Sequence, residues 1–451
     1  MKKLLAVFLS VAMVLSLAAC GGDSGSDKKD TKAADATQAA GDTKAAEDTK
    51  AANESGSAAS GDTIKIGLMV SFTGSGVQAG EECQALAKIF EDIINNKHDG
   101  VSLPFAADEG LPGLGGAKIE FVVGDQSTAD IALSEAERLI TEEGVIGLCG
   151  NFSSATTKTA MVAAEKYGVP VISEGTSMSL TEAAYTYFGR SFPGDDVFID
   201  DSFSYLDHLN ETQNAEIKTI CLISEDSEFG TNIAKVEAEA AAAHGYDVIE
   251  NISYNKDATN VTSEVLRAKQ ANADVVMMSS YAADALLFMQ EFKTQDYFPK
   301  MLFGQRGGFM ASDFAINLKN DADYVLTTSR WNADMDNAAA QEIAKLFKDD
   351  MGVVLLGDAL TSVWDGVLLA VAANQAGSTD GDAMRAVMAE GLDLDPALDP
   401  FGLEGYKYPE KHGQNEFGKA IVLQYKGGEL GTVYPEGSAE LMYPAKGWNE
   451  R

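Results

Sequence analysis

Positive charge is scarce in this 451-residue chain: 34 Lys and Arg stand against 69 Asp and Glu, a formal charge of −35 and a pI near 4.3. Nucleic-acid affinity rests on Lys and Arg neutralising phosphates, so that deficit argues against a nucleic-acid partner. Histidine is rarer still, with four residues at 98, 208, 244 and 412, none paired at a metal-ligand spacing. The four cysteines include no Cys-x-x-Cys pair, and the chain has neither a Gly-x-Ser-x-Gly elbow nor a Walker loop. Gly74-Ser75-Gly76-Val77-Gln78-Ala79-Gly80 approaches a dinucleotide fingerprint. Its spacing is one residue too long, and no acidic strand end follows about 20 residues on. With these signatures missing, neither catalysis nor a metal or other cofactor is expected.

What is present begins with a leader. Lys2 and Lys3 precede an apolar run from Leu4 to Ala19, broken at Ser10 and Ser16. That run is shorter than the roughly 20 residues a membrane span needs and reads as a secretory signal over residues 1–19. Its end, Leu17-Ala18-Ala19-Cys20-Gly21, resembles the lipobox of bacterial lipoproteins, in which Cys20 becomes the lipid-modified first residue. Residues 21–62 contain no Leu, Ile, Val, Met or aromatic and repeat Asp-Thr-Lys-Ala-Ala from positions 30, 42 and 48. Such a segment buries too little apolar surface to order itself, so 20–62 is read as lipidated Cys plus disordered tether. The tether carries nine acids and five bases and the signal two lysines, which leaves −33 on residues 63–451. Cys149 and Cys221 sit in apolar strand-like runs, where a free Cys is a small hydrophobe; with Cys83 they support no disulfide.

From residue 63 on, short runs rich in Val and Ile (64–71, 118–125, 145–150, 169–174) alternate with helical-period segments from Gln78, Ala129 and Ser154. The pattern pauses at Phe188-Gly189-Arg190-Ser191-Phe192-Pro193 and resumes with strands 218–226, 246–254, 274–280 and 300–305, and helices from Phe229, Asn260 and Ala282. Two βα units of this kind imply two parallel sheets, each covered by helices. After 324–329 the chain turns helical (337–350, 359–376, 382–390), then ends in strand-like pieces 419–426 and 432–434 beside a Lys426-Gly427-Gly428-Glu429 turn. The late helices have no third sheet to cover, so the chain must cross between lobes more than once.

Open parallel sheets bind ligands beyond the carboxyl ends of their strands. Those ends carry 71–80, Asn151-Phe152-Ser153-Ser154, Glu174-Gly175-Thr176-Ser177, Asp226-Ser227-Glu228-Phe229, Ser280-Tyr281 and Gln305-Arg306-Gly307-Gly308. Ser153 and Ser154 open a helix, whose free amides and positive dipole end suit a carboxylate. Plainer roles fit the same residues: Ser154 as a helix cap, and Ser or Thr as turn chemistry.

In ordered blocks the chain resembles the leucine/isoleucine/valine-binding protein family, extracytoplasmic solute receptors of ABC importers with the type I periplasmic-binding-protein fold. The blocks are Ile66-Gly67 through Thr73-Gly74 with Gly80, Gly150 through Ser153-Ser154, Gly168-Val169-Pro170-Val171-Ile172-Ser173, Glu225-Asp226-Ser227-Glu228-Phe229-Gly230, Ala273-Asp274-Val275-Val276 followed by Tyr281, and Gly413-Gln414-Asn415. The resemblance implies an α/β protein of two doubly wound parallel-sheet lobes joined by a three-crossover hinge. Lobe 1 would span 63–190 and 330–402, and lobe 2 would span 191–329 and 403–451, with crossings near 191–193, 326–329 and 400–408.

It further implies a ligand carboxylate held by Ser154 with Ser153, and by Gly175 with Thr176 or Ser177. Phe229 and Tyr281 would close from the second lobe, and Gln78 would line the site. Two departures stand out. Arg306 replaces a Glu that often meets the ligand's ammonium, so either Glu174, Asp226 or Glu228 substitutes or the ligand has a second anionic or carbonyl group and no amine. Ala79 replaces a large aromatic of some relatives, a sign of a roomier pocket, and 97–116 reads as a surface excursion.

The implied function is capture of a small amino-acid-like or carboxylate ligand by a monomer, lipid-anchored on the extracytoplasmic face of a bacterial membrane, which delivers it to ABC permease subunits. A ligand-sensing receptor would share every site residue, and a surface enzyme would need a reactive constellation in the cleft.

Overall fold

The structure, a computed structural model, describes residues 63–150, 153–435 and 439–450. The signal, Cys20, the tether and Asn151-Phe152 lie outside the described residues.

Lobe 1 opens with β1 (Thr63–Val70), α1 (Val77–Asn95), β2 (Lys118–Asp125), α2 (Ala129–Arg138), β3 (Leu148–Gly150), α3 (Ser154–Tyr167), β4 (Val171–Ile172), α4 (Met178–Glu182) and β5 (Phe188–Gly189). The strands pair in parallel in the order β2-β1-β3-β4-β5. Ile66, Leu68, Met69 and Val70 of β1 are all buried although successive side chains face opposite ways, as in a sheet covered on both faces.

Lobe 2 contains α5 (Asp195–Gln213), β6 (Thr219–Glu225), α6 (Glu228–His244), β7 (Asp247–Tyr254), α7 (Thr262–Ala271), β8 (Val275–Ser279), α8 (Ala282–Thr294), β9 (Met301–Gly304), α9 (Ser312–Leu318) and β10 (Val325–Ser329). The chain then returns to lobe 1 as α10 (Ala338–Met351), α11 (Gly357–Ala376) and α12 (Gly381–Glu390), and ends in lobe 2 as β11 (Ile421–Lys426) and β12 (Glu429–Tyr434). The second sheet runs β12-β11-β10-β9-β8-β6-β7, parallel from β10 to β7 and antiparallel at β11 and β12. In each sheet the strand order reverses at the first strand of the unit, β1 or β6, and the carboxyl ends there face the inter-lobe cleft.

Helix α11 is buried from Gly357 through Ala373. A Cβ at Gly366 would lie 2.4 Å from Phe121 and 2.9 Å from Cys149 Sγ, so glycine is what lets this helix rest on the sheet. Among the described residues no helix is long and apolar enough to cross a membrane. Cys83, Cys149 and Cys221 are free and buried.

Two expectations change. The second crossing lies after β10, at Arg330, where Trp331 is already buried in the lobe 1 core. The third lies past Tyr408: Phe401, Leu403, Tyr406 and Tyr408 all pack in that core, with Trp364 Nε1 donating to the Tyr406 hydroxyl at 2.8 Å. The lobe boundary placed at 402/403 therefore moves to about Gln414, which bridges to Arg190. Residues 97–116 are more than a surface excursion, since Leu103, Ala106, Leu111 and Leu114 are buried in the same core. Helix α5, unanticipated after the first crossing, buries Phe198, Ile199, Ser202, Phe203, Leu206 and Leu209 on one face.

Candidate functional site

The lobe 1 wall comes from the ends of β3 and β4. Ser153 is the N-cap of α3, with extended backbone, yet its side chain makes no capping bond. Its carbonyl instead accepts from Thr157 N and from the hydroxyls of Thr156 and Thr157, all at 2.9 Å. Ser154 is the first helical residue and is buried; its Oγ accepts the Ser177 amide at 3.3 Å, which ties the two loops together. The plainer reading of Ser154 as a helix cap is thereby excluded. Gly175 is required by contact: a Cβ there would lie 2.7 Å from Thr157 Oγ1.

Arg190, 1% exposed, stands behind this loop. Its Nη1 donates to the carbonyls of Gly175 (3.3 Å), Thr176 (2.9 Å) and Ser177 (3.0 Å), and its Nε donates to Gln414 Oε1 at 2.6 Å. Gln414 in turn donates to the Phe192 carbonyl at 2.9 Å, so the first and third crossings brace the loop together. Burial lowers the Arg190 pKa to about 10, while Asp195 and Asp196 work the other way.

The lobe 2 wall is aromatic and cationic. Phe229 lies in the first turn of α6, behind the Ser227 cap, and its ring sits 5.4 Å from that of Tyr281. Burial pushes the Tyr281 phenol up, with Glu225 adding to it, against hydrogen bonds to Ser153 across the cleft and Ser227 beside it. Arg306 follows β9 with φ 50°, a left-handed conformation uncommon for a side chain of its size. Its guanidinium pairs with the buried Asp195 at 2.7 Å, rests 4.0 Å over the Phe198 ring and reaches Thr176 Oγ1 across the cleft at 3.3 Å.

Sequence reasoning passed over Arg330, which follows β10 at the second crossing. It donates to Glu174 Oε2 at 2.9 Å and to the Glu174 carbonyl at 3.2 Å, and lies 3.4 Å from Asp358. Ser362 also bonds Glu174. Burial raises the Glu174 carboxyl despite Arg330, and raises Asp358 likewise. Glu174, Thr176, Phe229, Tyr281, Arg306, Gly307, Arg330 and Asp358 together line a cavity of about 20 Å³. Gln78 lines an adjoining hollow with Ala79, Glu82 and Tyr281 and donates to Glu82 at 3.1 Å. At the rim, Glu228 of lobe 2 accepts Ser179 Oγ at 2.7 Å and lies 3.5 Å from both Ser177 Oγ and Lys158 Nζ of lobe 1.

Of the named residues, Thr176, Phe229, Tyr281 and Arg306 line this cavity and Gln78 the adjoining hollow, whereas Ser153, Ser154, Gly175 and Ser177 belong to the loops around Thr176 and line neither. Arg190 and Arg330 were each a lone cation next to a crossing, and that was the available signal.

The sequence model of the periplasmic binding protein family matches residues 63–428. A Leu/Ile/Val-binding protein homologue of Brucella suis is 27% identical over 394 residues, covering 85% of this chain and 94% of that protein. In fold, the chain is similar to a leucine-binding protein of Thermotoga maritima (TM-score 0.68, 15% identity, 82% and 97% of the two chains covered). It is also similar to a branched-chain amino acid transporter substrate-binding protein of Streptococcus pneumoniae in complex with isoleucine (0.67, 20%, 82% and 98%). A third likeness is to an ABC-transporter solute-binding protein of Rhodopseudomonas palustris in complex with 3,4-dihydroxybenzoic acid (0.67, 19%, 86% and 100%).

Proposed function

Because this chain belongs to the periplasmic binding protein family and is a solute-binding protein of the type I fold, we propose that it is the lipid-anchored receptor of an ABC importer. It captures a small amino-acid-like or carboxylate solute and passes it to membrane permease subunits. The observation that carries this reading is the meeting of lobe 1 hydroxyls with lobe 2 groups: Thr176 with Arg306, and Ser179 with Glu228. The solute docks on lobe 1 at the Ser153/Ser154 helix start, where free amides and the helix dipole favour a carboxylate. Lobe 2 then closes with Phe229, Tyr281 and Arg306, and the extra contacts of the closed state drive the hinge.

The net charge of −33 on residues 63–451 repels anions at long range, so local donors must hold the carboxylate. A ligand of about nine heavy atoms needs roughly −0.9 kcal/mol per atom to reach a micromolar Kd, within the bound for small ligands. Relatives whose names include leucine, isoleucine and valine, and structural neighbours holding isoleucine or a hydroxylated benzoic acid, support this solute class.

Thermal melts against amino acids, dicarboxylates, aromatic acids, amides and nucleosides test the reading. A true solute at 100 times its Kd adds about 2.7 kcal/mol of stability. Response to nucleosides or sugars alone would overturn it. Extracytoplasmic anchoring at Cys20 is tested by fatty-acid labelling, which Cys20→Ala abolishes, and import by loss of uptake in a deletion strain. Uptake that persists would favour a sensory receptor.

A further inference from the structure

Most acids around the cleft are already held by neighbouring donors. Glu174 and Asp358 share Arg330, at 2.9 and 3.4 Å. Asp195 holds Arg306 at 2.7 Å and accepts Asn232 Nδ2 at 2.6 Å. Glu225 is wrapped by its own loop, accepting the Ser227 amide (2.5 Å), the Ser227 hydroxyl (2.7 Å) and the Gly230 amide (2.7 Å). Asp226 turns to Asn255 and the Lys256 amide at 3.1 and 3.0 Å, and Glu228 to Ser179 and Lys158 at the rim. Glu82, in the adjoining hollow, has no cation within ion-pair distance among the described residues; it accepts Gln78, and burial raises its carboxyl.

Donors tell the opposite story. Arg306 Nε and Arg330 Nε are buried with no hydrogen-bond partner among the described residues, although both guanidiniums line the cavity. Tyr281 and Thr176 line the same cavity, with the Thr176 hydroxyl accepting Arg306 at 3.3 Å and Tyr281 held by Ser153 and Ser227. An ammonium entering here would find Glu174, Asp358 and Asp195 already paired with arginine, and it would meet two guanidiniums of its own sign. A carboxylate meets donors on both walls.

We propose that the solute is a small organic acid with an apolar body and no ammonium group, in place of an α-amino acid. This rests on the capture reading above and narrows it. The two cations are kept by their own counter-ions, Asp195 and Glu174, and the aromatic pair of Phe229 and Tyr281, 5.4 Å apart, covers the apolar body.

Calorimetry on the full chain with matched pairs is the test: 4-methylpentanoate against leucine, and 3-phenylpropanoate and 3-(4-hydroxyphenyl)propanoate against phenylalanine and tyrosine. The acid of at least one pair binds ten times or more tighter than its amino acid. An amino acid that binds tighter than its deaminated partner overturns the inference while leaving carboxylate capture standing. Binding of nucleosides, sugars or amides with no acid bound at all overturns both. Silence from every acid in the panel counts against the inference. Arg330→Gln supplies a second reading, because it uncovers Glu174 and Asp358 and shifts preference toward the amine-bearing member of each pair. If that variant fails to fold, the pairs on the native chain decide.

Discussion

Lobe 1 meets the cleft with the Thr176 hydroxyl and the Glu174, Arg330 and Asp358 cluster, whereas lobe 2 meets it with rings and the Arg306 guanidinium. The lobe 1 loop is held from behind: Arg190 grips three consecutive carbonyls, and Ser154 takes the Ser177 amide. Behind it lies a core enlarged by α10 to α12, which return after the second crossing. On lobe 2, Phe229 and Tyr281 stand at helix starts, and Arg306 sits on a backbone of positive φ pinned by Asp195 and Phe198. On the proposed capture reading, lobe 1 is the dock and lobe 2 the closing lid. Changes in lobe 1 should therefore alter whether a solute is held at all, and changes in lobe 2 how long it stays.

The largest effect tests the dock. Arg190→Met strips the Gly175, Thr176 and Ser177 carbonyls of their shared donor, and should cost on the order of 3–5 kcal/mol in urea unfolding and abolish binding. Unchanged stability would mean the loop is not built from behind. Next comes the lid: Tyr281→Ala removes an aromatic worth about 1.5–3 kcal/mol of burial, which is roughly 10–100-fold in affinity. Stopped-flow release should show it in the dissociation rate, with association little changed. A fall in association instead would place Tyr281 on the docking side.

Smaller effects follow. Ser154→Ala deletes one hydrogen bond of the dock, a loss of about 1 kcal/mol and several-fold in Kd by calorimetry. Ser179 first, and then Lys158, holds the Glu228 carboxyl below its usual range. Glu228→Gln should weaken closure for every solute by a few-fold, an effect that shrinks at high salt because the Lys158 contact is exposed. A solute-specific change there would make Glu228 a ligand contact and blur the division of the lobes.

The last prediction concerns lobe 2 alone. Partial burial works against the charged form of His244, but Asp207 (2.6 Å) and Asp200 (3.1 Å), both on α5, raise its pKa overall. A raised folded value means the clamp stabilises fully below the unfolded pKa of about 6.5 and is lost as pH rises through the folded one. Melting of the native chain should therefore lose stability across that window, and His244→Ala should flatten the dependence.

Much of the fold was legible because period and turn chemistry are local. The strand runs at 64–71 and 118–125 and the helix starts near Gln78, Ala129 and Ser154 stand within a residue or two of β1, β2, α1, α2 and α3. Helix α5 went unread despite the helical spacing of Phe198, Ile199, Ser202, Phe203, Leu206 and Leu209, because it falls where the strand pattern breaks. The crossings resisted because a β-strand and an extended linker look alike until one sees which core takes their side chains. Tyr406 and Tyr408 could have belonged to either lobe. The site's hydroxyls and rings could be read from strand ends, whereas its ion pairs could not.

By itself the sequence determined the order of elements, the doubling of the βα unit and the chemistry at each strand end, since these follow from neighbours along the chain. Only the tertiary structure decided which charge meets which. Arg330 finds Glu174 across 156 residues and Arg306 finds Asp195 across 111. Those pairings exist because three crossings bring distant segments to one buried place, where an unpaired charge is too costly to persist.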